Sequence, residues 1–399
     1  MISIEEIKKA CEFADGIRYK TETILDKNDT DLLVFGSIEV IIDQRPRENC
    51  YQLVYYPLFL QRVIEGINRA FEGLGNGTNS YKTVDRYTTY ISGLGTWTQS
   101  QDTDAPDGFG HSLKMLCTAA DASPSASDRM LIQTKLEGQD VQSLGFGNSG
   151  NTYTVSFYVK SNVTGTYILE QYGDTASATG NNISTAYTID SANTWERKTI
   201  TLNVDSGAMT SDNTSGLVLS FWLGSGTTYT SGTLNTSWSS PVSADRAVGQ
   251  VNLASAINNY WQITGVQLEV GPATPFEHRS YSDELAKCQR YFYAAAVGGA
   301  TKEALGLGVY YSSTYLAGAI SFPVTMRATP TLDAGTGTNY YEVIRDGGTD
   351  WFNTMLLGNR TTTSIGEFYN NTQASGTSGA GGFVRTDKVG AYVHFDAEL

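Results

Sequence analysis

The chain has 399 residues, of which 17% are charged, and its formal net charge is −14 at pH 7. This charge excludes nucleic acid and anionic membranes as partners, because no basic patch could outweigh such a field. Gly (41 residues) and Tyr (24) are abundant, which is typical of an all-β protein with long polar loops. We therefore expect neutral or mildly basic surfaces, or sugars, as partners.

The first seventy-five residues differ in pattern from the rest of the chain. Ser3 and Glu6 stand at capping-box spacing before an amphipathic helix, and Pro57 stands where a second helix would begin. Between them, the apolar run 32–42 predicts a strand. These signals predict a small α/β module over residues 1–75, with a flexible polar linker at 73–80.

Cysteine usage and the N-terminal segment indicate the compartment. The segment MISIEEIKKACEF predicts an amphipathic helix and not a secretory signal, and no apolar run approaches the length of a membrane span. The cysteines lie far apart without CxxC pairing, so we expect reduced core thiols made in a cytoplasm. They are Cys11, Cys50, Cys117 and Cys288.

Residues 76–279 carry strand signals at short spacing, separated by loops rich in Gly, Ser, Thr and Asn. In 153–160 and in 217–223, apolar residues alternate with other residues at a period of two, the pattern of antiparallel strands. Roughly eight such strands follow one another with no helix pattern between them. This predicts an antiparallel jelly-roll β-sandwich.

The jelly roll is predicted to end at a bulged strand. The apolar positions slip by one residue at Gly265, which indicates a β-bulge. Pro272 and Pro275 then remove hydrogen-bond donors and end the strand.

A short helix and a second β-domain are predicted after that strand. Ser280 and Asp283 stand at capping-box spacing, so we expect a connecting helix over residues 280–298. Alternating runs then continue to the last residue. They predict a C-terminal β-sandwich tip over residues 299–399.

Five segments in this order resemble a known family. They read VSFYVKSNVTGTY, NTWERKTITL, GLVLSFWLGSGT, ITGVQLEVGPATPFEHRSYSDELAKCQRYF and FPVTMRATPTL. Together they resemble tailed-bacteriophage tail fibres and minor virion structural proteins, and the ITGVQLEVG-ATPFE-ELxxCQRY string is the most specific part. The resemblance spans residues 81–399 and leaves out the first seventy.

The resemblance implies a carbohydrate-binding-module-like jelly roll and a small β tip on particles that are commonly trimeric, with no catalytic residues. From it we expect a non-enzymatic virion structural protein, a homotrimeric tail fibre that attaches to host cells through a surface glycan or receptor. Residues 1–75 would bind other virion proteins. The expected location is the virion, assembled in the host cytoplasm. A capsid-anchored fibre or decoration protein stays open as an alternative, as does a glycan depolymerase.

The residues themselves offer little for catalysis or for a cofactor. His111, His278 and His394 lie in no nucleophile motif and are interpreted as ordinary surface or loop histidines. No catalytic residue and no cofactor is predicted.

One acidic loop has a superficial likeness to a calcium site. It contains Asp102, Asp104 and Asp107, but an EF-hand would need a glutamate where Leu113 stands, so that motif fails. Two interpretations stay open, a weaker structural calcium site and an acidic solvated turn.

Aromatic residues are the better candidates for a site. Trp222 and Tyr158 have the parity opposite to the core residues of their strands, so we expect them to face away from the apolar interior, or into the concave face of one sheet. Aromatic rings exposed on a rigid sheet stack on sugar rings. The alternative is that a loop or a second subunit covers them. Trp97, Tyr229 and Trp238 in polar stretches are further candidates, whereas Trp195 is expected in the core.

Overall fold

The computed structural model describes residues 17–18, 41–42, 71–81, 85–148, 150–175, 179–299 and 301–399. The chain divides into two compact units, Met1–Cys50 and Tyr51–Leu399. In the first unit, β1 (Ile17–Arg18) pairs antiparallel with β2 (Ile41–Ile42). The predicted helices that begin after Ser3 and at Pro57 lie outside the described residues, as do Cys11 and Cys50.

In the described part of the second unit, twelve strands form a sandwich of two antiparallel six-stranded sheets. The strands are β3 (Phe71–Leu74), β4 (Thr78–Tyr81), β5 (Tyr87–Ser92), β6 (Thr96–Asp102), β7 (Ser112–Ala119), β8 (Arg129–Glu137), β9 (Thr152–Ser161), β10 (Gly165–Gly173), β11 (Asn182–Ile189), β12 (Glu196–Asn203), β13 (Ser215–Ser225) and β14 (Tyr260–Val270). Sheet A has the order β11-β10-β13-β8-β5-β4, and sheet B has the order β12-β9-β14-β7-β6-β3. The chain passes repeatedly between the sheets, which confirms the predicted jelly roll.

The sandwich core is built from the strand faces that the alternation predicts. Tyr153, Val155, Phe157 and Val159 of β9 all lie in the main hydrophobic core. In β14 the pairing with β9 shifts register after Thr264, and Gly265 has a positive φ of 59°. The predicted bulge is thereby confirmed, and it lets both halves of β14 contribute apolar side chains to the core.

The linker predicted at 73–80 is instead part of the sandwich. β3 pairs with β6 in sheet B, and β4 pairs with β5 in sheet A. Leu74 is buried in the main core. The prediction is wrong because the polar residues of β4 sit on the edge strand of a sheet, where polar side chains remain in water.

Ten further strands build the C-terminal β-domain. They are β15 (Phe292–Val297), β16 (Ala304–Ser312), β17 (Tyr315–Ser321), β18 (Thr331–Ala334), β19 (Tyr341–Arg345), β20 (Gly348–Phe352), β21 (Leu356–Leu357), β22 (Ile365–Asn370), β23 (Gly381–Thr386) and β24 (Tyr392–Asp396). One sheet has the order β15-β24-β18, and the other has the order β20-β19-β23-β16-β17-β22-β21. A second core cluster includes Tyr310, Tyr341, Val393 and Phe395.

The described helices are short. They are η1 (Gly138–Leu144), α1 (Thr227–Thr230), η2 (Ser243–Asp245), η3 (Leu253–Ser255) and α2 (Tyr281–Gln289). Within the described ranges, none has the length and apolar character that crossing a bilayer requires.

Helix α2 begins as predicted and ends early. The Ser280 hydroxyl accepts a hydrogen bond from the Asp283 backbone N–H at 3.3 Å, which confirms the N-cap. The helix ends at Gln289 and not at residue 298, because β15 pairs with β24 from Phe292 onward.

Buried ionic contacts join the sandwich to the C-terminal domain. Arg86, almost fully buried, donates to Glu398 at 3.1 Å and to the Lys135 carbonyl at 2.5 Å. Arg290 donates to Glu137 at 2.8 Å, and the Tyr291 hydroxyl donates to the same carboxylate. Because breaking a buried ion pair is costly, these contacts favour one arrangement of the two domains.

Candidate functional site

The aromatic residues predicted to face solvent lie at different depths. Trp97 and Trp222 are fully buried and Tyr229 is only 8% exposed, whereas Tyr158 and Trp238 are half-buried. The prediction that Trp97, Trp222 and Tyr229 are exposed to solvent is therefore wrong. Strand parity tells which face of a sheet a side chain takes, but not what covers that face.

Trp222 lies on the outer face of sheet A beneath the segment 226–252, which carries α1 and η2. Its indole N–H donates to Glu170 Oε2 at 3.0 Å. The Arg246 guanidinium donates to both Glu170 oxygens, at 2.7 and 2.9 Å, and its carbon lies 5.3 Å from the Trp222 ring centroid. We call Glu170, Trp222 and Arg246 the covered cluster.

Tyr229 belongs to the same covered surface. Its hydroxyl accepts a hydrogen bond from Arg129 at 2.6 Å, and Arg129 also donates to the Tyr90 hydroxyl at 2.7 Å. Leu131, Ile168, Trp222, Tyr229 and Ala247 form a separate small core here. The centre of the outer face of sheet A is thus covered by the protein itself.

Trp97 and Trp238 also have structural roles. The Trp97 indole N–H donates to the Leu94 carbonyl at 2.8 Å inside the main core. The Trp238 indole N–H donates to the Asn203 carbonyl at 2.9 Å, and its ring packs edge-on against Phe146 at 5.7 Å.

Tyr158 lies on the outer face of sheet B, as its parity predicts, but a loop shields part of it. Its ring lies 5.2 Å from Phe109, which in turn lies 4.7 Å from Phe276. Phe109 can approach because Gly265 has no side chain: a Cβ there would lie 2.6 Å from the Phe109 ring. Tyr158 is one wall of this aromatic group.

The rest of the outer face of sheet B carries polar side chains. In β14, Tyr260 and Gln262 have the parity opposite to Trp261 and Ile263, which lie in the core. The register places Gln262 between Lys114 of β7 and Lys160 of β9. Amide and ammonium groups therefore form a row across three neighbouring strands.

A second tryptophan cluster lies on this face. The Trp195 indole N–H donates to Asp104 Oδ1 at 3.0 Å, and Lys160 donates to Asp104 Oδ2 at 2.6 Å. The Lys160 ammonium lies 5.9 Å from the Trp195 ring centroid. We call Asp104, Lys160 and Trp195 the open cluster. Trp195 is half-buried and directly precedes β12, so its predicted place in the core is wrong.

Tyr260 is tied to the loop that carries Trp195. Its hydroxyl donates to Asn193 Oδ1 at 2.6 Å, and the Asn193 backbone N–H donates to the Ser161 carbonyl at 2.8 Å. Asn193 has a φ of 60°, a left-handed conformation that asparagine tolerates better than most residues. Two half-buried rings are thus held at fixed positions on one face.

The stiffness of this loop has a further source. The Glu196 carboxylate accepts hydrogen bonds from the backbone N–H groups of Asp190 and Ser191 and from Lys198. Burial alone would raise the pKa of Glu196, but these donors outweigh it and hold the pKa below its usual value. The carboxylate therefore stays ionised and keeps the loop in place.

The acidic loop does not assemble as a metal site. Asp102 is paired with Lys114 at 2.7 Å, and Asp104 is engaged by Lys160 and Trp195, while Asp107 is exposed. Among the described residues, no group of three or more His, Cys, Asp or Glu side chains is arranged to hold a metal ion. For Asp102 and Asp104, partial burial would raise the pKa, but their lysine partners outweigh it and lower the pKa.

A shallow depression lies elsewhere on the sandwich, between the edge strands β11 and β12. Its volume is about 560 Å³, and threonines line much of it. Tyr187 at its margin is buried, so the depression offers no open ring face.

Unlike the depression, the outer face of sheet B offers partly exposed aromatic rings. It presents Trp195 and Tyr260 as stacking surfaces, beside asparagines and paired charges that can exchange hydrogen bonds with hydroxyl groups. Sequence reasoning missed Tyr260, although its parity opposite to Trp261 was a usable signal. It also missed Trp195, because nothing in the sequence places Asp104 beside it.

No family model and no curated protein matches this chain. Among solved structures, the chain is similar to the enzymatically active domain of bacteriophage CBA120 tailspike protein 4, at 16% identity and a TM-score of 0.29. That match covers 49% of this chain and 22% of the other, so this chain spans about a fifth of that protein.

Two further similarities are to carbohydrate-binding modules. A CBM4 structure has 13% identity and a TM-score of 0.24, over 47% of this chain and 95% of the other. The family 11 module of cellulase Lic26A-Cel5E of Clostridium thermocellum has 11% identity and a TM-score of 0.25, over 53% of this chain and 99% of the other. At such low scores these likenesses carry no argument about function.

Proposed function

We propose that the protein is a non-enzymatic structural protein of a tailed-phage virion, a fibre that attaches to host cells by binding a surface glycan on the outer face of sheet B. The observation that carries the glycan proposal is the pair of half-buried rings, Trp195 and Tyr260, fixed on a rigid sheet. The virion location rests on the sequence motifs at 155–167, 263–292 and 322–332.

The charges on this face suit a neutral glycan. Lys114 and Lys160, which lie beside the Tyr260 and Trp195 rings, are each paired with an aspartate, so neither ammonium is free to bind an acidic sugar. The chain as a whole carries a net charge of −14 and would repel a polyanion. A neutral hexose polymer fits this site, because the apolar face of each sugar ring can stack on Trp195 or Tyr260 and its hydroxyl groups can bond to the polar side chains beside them.

The remaining parts of the proposal concern assembly. Residues 1–75 would dock to other virion proteins, since the motifs shared with virion proteins begin after them. The fibre would be a homotrimer located on the virion, after assembly in the host cytoplasm.

The test replaces Trp195 by alanine. Binding of the purified chain to a panel of neutral bacterial surface polysaccharides is measured by calorimetry. Loss of a central aromatic should weaken affinity about tenfold or more, with little change in melting temperature, because Trp195 is half-buried and outside the core cluster.

Trp238→Ala is the matched control, because Trp238 is also half-buried but lies against Asn203, at the opposite end of β12 from Trp195. It should leave affinity unchanged. Equal losses in both variants, or no binding to any polysaccharide in the panel, would contradict the proposed site. Release of reducing sugar from a bound polysaccharide would instead favour the depolymerase alternative.

A further inference from the structure

The seven-stranded sheet of the C-terminal domain exposes an apolar row on its central strand. Leu307, Val309 and Tyr311 of β16 are 71%, 51% and 82% exposed. Three large apolar side chains at alternate positions of one strand share one face of the sheet. A single exposed apolar residue needs no explanation, but a contiguous row does.

The backbone fixes this row on the outer face. Pairing of β16 with β23 shifts register between Ala304 and Gly306, so a bulge precedes the row. Beyond the bulge, Tyr310 points into the core and pairs with Leu316 of β17, which is also buried. Leu307, Val309 and Tyr311 have the opposite parity and cannot join that core.

Neighbouring strands extend the row into a face. Phe383 lies opposite Leu307 on β23, and Trp351 and Ile365 are exposed on β20 and β22. Small residues lie between the large ones: Ala317 and Gly381 are the two cross-strand partners of Val309. The face therefore places the raised row on β16 beside a shallow surface at Ala317 of β17, which the stacked rings of Tyr315 and Tyr369 border.

The charged side chains Arg385, Arg360 and Lys302 beside this face are all paired with carboxylates, although the chain is acidic. Arg385 is paired with Glu342 at 2.6 Å, and Arg360 is paired with Glu367 at 3.0 Å. For two copies of a chain of net charge −14, a neutral apolar surface is where contact costs least electrostatic repulsion.

We propose that the outer face of the seven-stranded sheet binds a second copy of this chain. The raised row of Leu307, Val309 and Tyr311 on one copy packs against the shallow surface at Ala317 of the next copy, a head-to-tail contact that closes around the threefold axis of the proposed homotrimer. We call this surface the pairing face. The proposed fibre would assemble through the pairing face. This proposal does not depend on glycan binding.

The available area is sufficient for such a contact. The exposed parts of Leu307, Val309, Tyr311, Trp351, Ile365 and Phe383 amount to on the order of 700 Å² of accessible surface, close to the ~800 Å² that each partner gives to a standard interface. Aromatic residues are also enriched in such interfaces.

The test uses the full chain and a double variant, Leu307→Glu with Tyr311→Glu. Both side chains are exposed, so the changes remove no core contact. Mass is measured by light scattering from 1 to 100 µM, on the order of the range in which moderate interfaces dissociate. Wild-type protein should have a multiple of the 43.3 kDa chain mass, and the double variant should have the mass of one chain.

Val389→Glu is the matched control, because Val389 is 63% exposed on the loop between β23 and β24 and lies off the pairing face. It should keep the wild-type mass. A second variant, Ala317→Arg, fills the shallow surface and should also give single chains, which guards against misfolding of the double variant.

Two results would overturn the proposal: wild-type protein that stays a single chain at every concentration, or folded variants that keep the wild-type mass. In the first case, binding of the face to a different protein of the particle becomes the explanation. Glycan affinity per chain is measured on the same samples. Single-chain variants that still bind glycan separate the two proposals, whereas a wild-type single chain that binds glycan would overturn the homotrimer and leave the glycan site standing.

Discussion

The covered cluster of sheet A and the open cluster of sheet B use the same chemistry in two settings. In each, a carboxylate accepts a hydrogen bond from an indole N–H at 3.0 Å and pairs with a cation lying within 6 Å of the indole ring centroid. Segment 226–252 buries the Glu170 cluster, whereas the Asp104 cluster remains half-exposed. The comparison teaches that a loop, and not the side chains, decides whether such a cluster stabilises the fold or can meet a ligand.

The largest expected effect comes from Trp222→Ala. The side chain is fully buried in the small core of sheet A, so its removal should cost about 3–5 kcal/mol of the free energy of unfolding. Chemical denaturation checks this value. Glycan affinity of the remaining folded protein should be unchanged, and a selective loss of affinity would place the ligand on sheet A.

A matched pair of isosteric changes sharpens the comparison. Glu170→Gln should cost about 2 kcal/mol, because it removes the buried charge that Arg246 and Trp222 share. Asp104→Asn should cost less than about 1 kcal/mol, because 41% of that side chain is exposed and solvent screens its pair with Lys160. The free energy of unfolding of both variants is measured by urea denaturation. Equal losses would show that burial beneath segment 226–252 makes no difference.

The smallest effect is a pH dependence of the open cluster. Partial burial would raise the pKa of Asp104, but Lys160 and Trp195 outweigh it, so the folded-state pKa lies below the ordinary 3.8. A carboxylate with a lowered pKa contributes stability above its unfolded pKa and loses it as pH falls through the folded pKa. Tryptophan fluorescence and glycan affinity should therefore hold constant from pH 7 to 5 and fall below pH 3.8. In Asp104→Asn this acid step should be smaller, and the part that remains reports protonation of Glu196, which holds the same loop.

Much of this fold could be predicted from the sequence, because alternation reports which side chains face a core. It placed Tyr153 and Phe157 inside, and the slip at Gly265 marked a real bulge. It also gave Trp222 the correct face of its strand. The burial of Trp222 could not be predicted. The segment that covers it, 226–252, is polar, and a polar segment that folds over a sheet gives no periodic pattern in the sequence.

Other features depend on contacts distant in sequence. Trp195 meets Asp104 91 positions away, and no local pattern encodes that pairing. The pairing face could not be predicted from the sequence, because a bulge before Gly306 inverts the parity of β16. Polar edge strands also resemble a linker, which is why β4 was misassigned.

The contacts at the joint of the two β-domains have a mechanical consequence. The Tyr81 hydroxyl donates to the Leu399 carbonyl at 2.7 Å, and Arg86 binds Glu398, so the first strands of the sandwich hold the last residues of the C-terminal domain directly. A tensile force transmitted along β4 is therefore divided between the two domains at Tyr81 and Arg86, where the sandwich contacts the C-terminal residues. The two domains bear this tension in parallel and not in series.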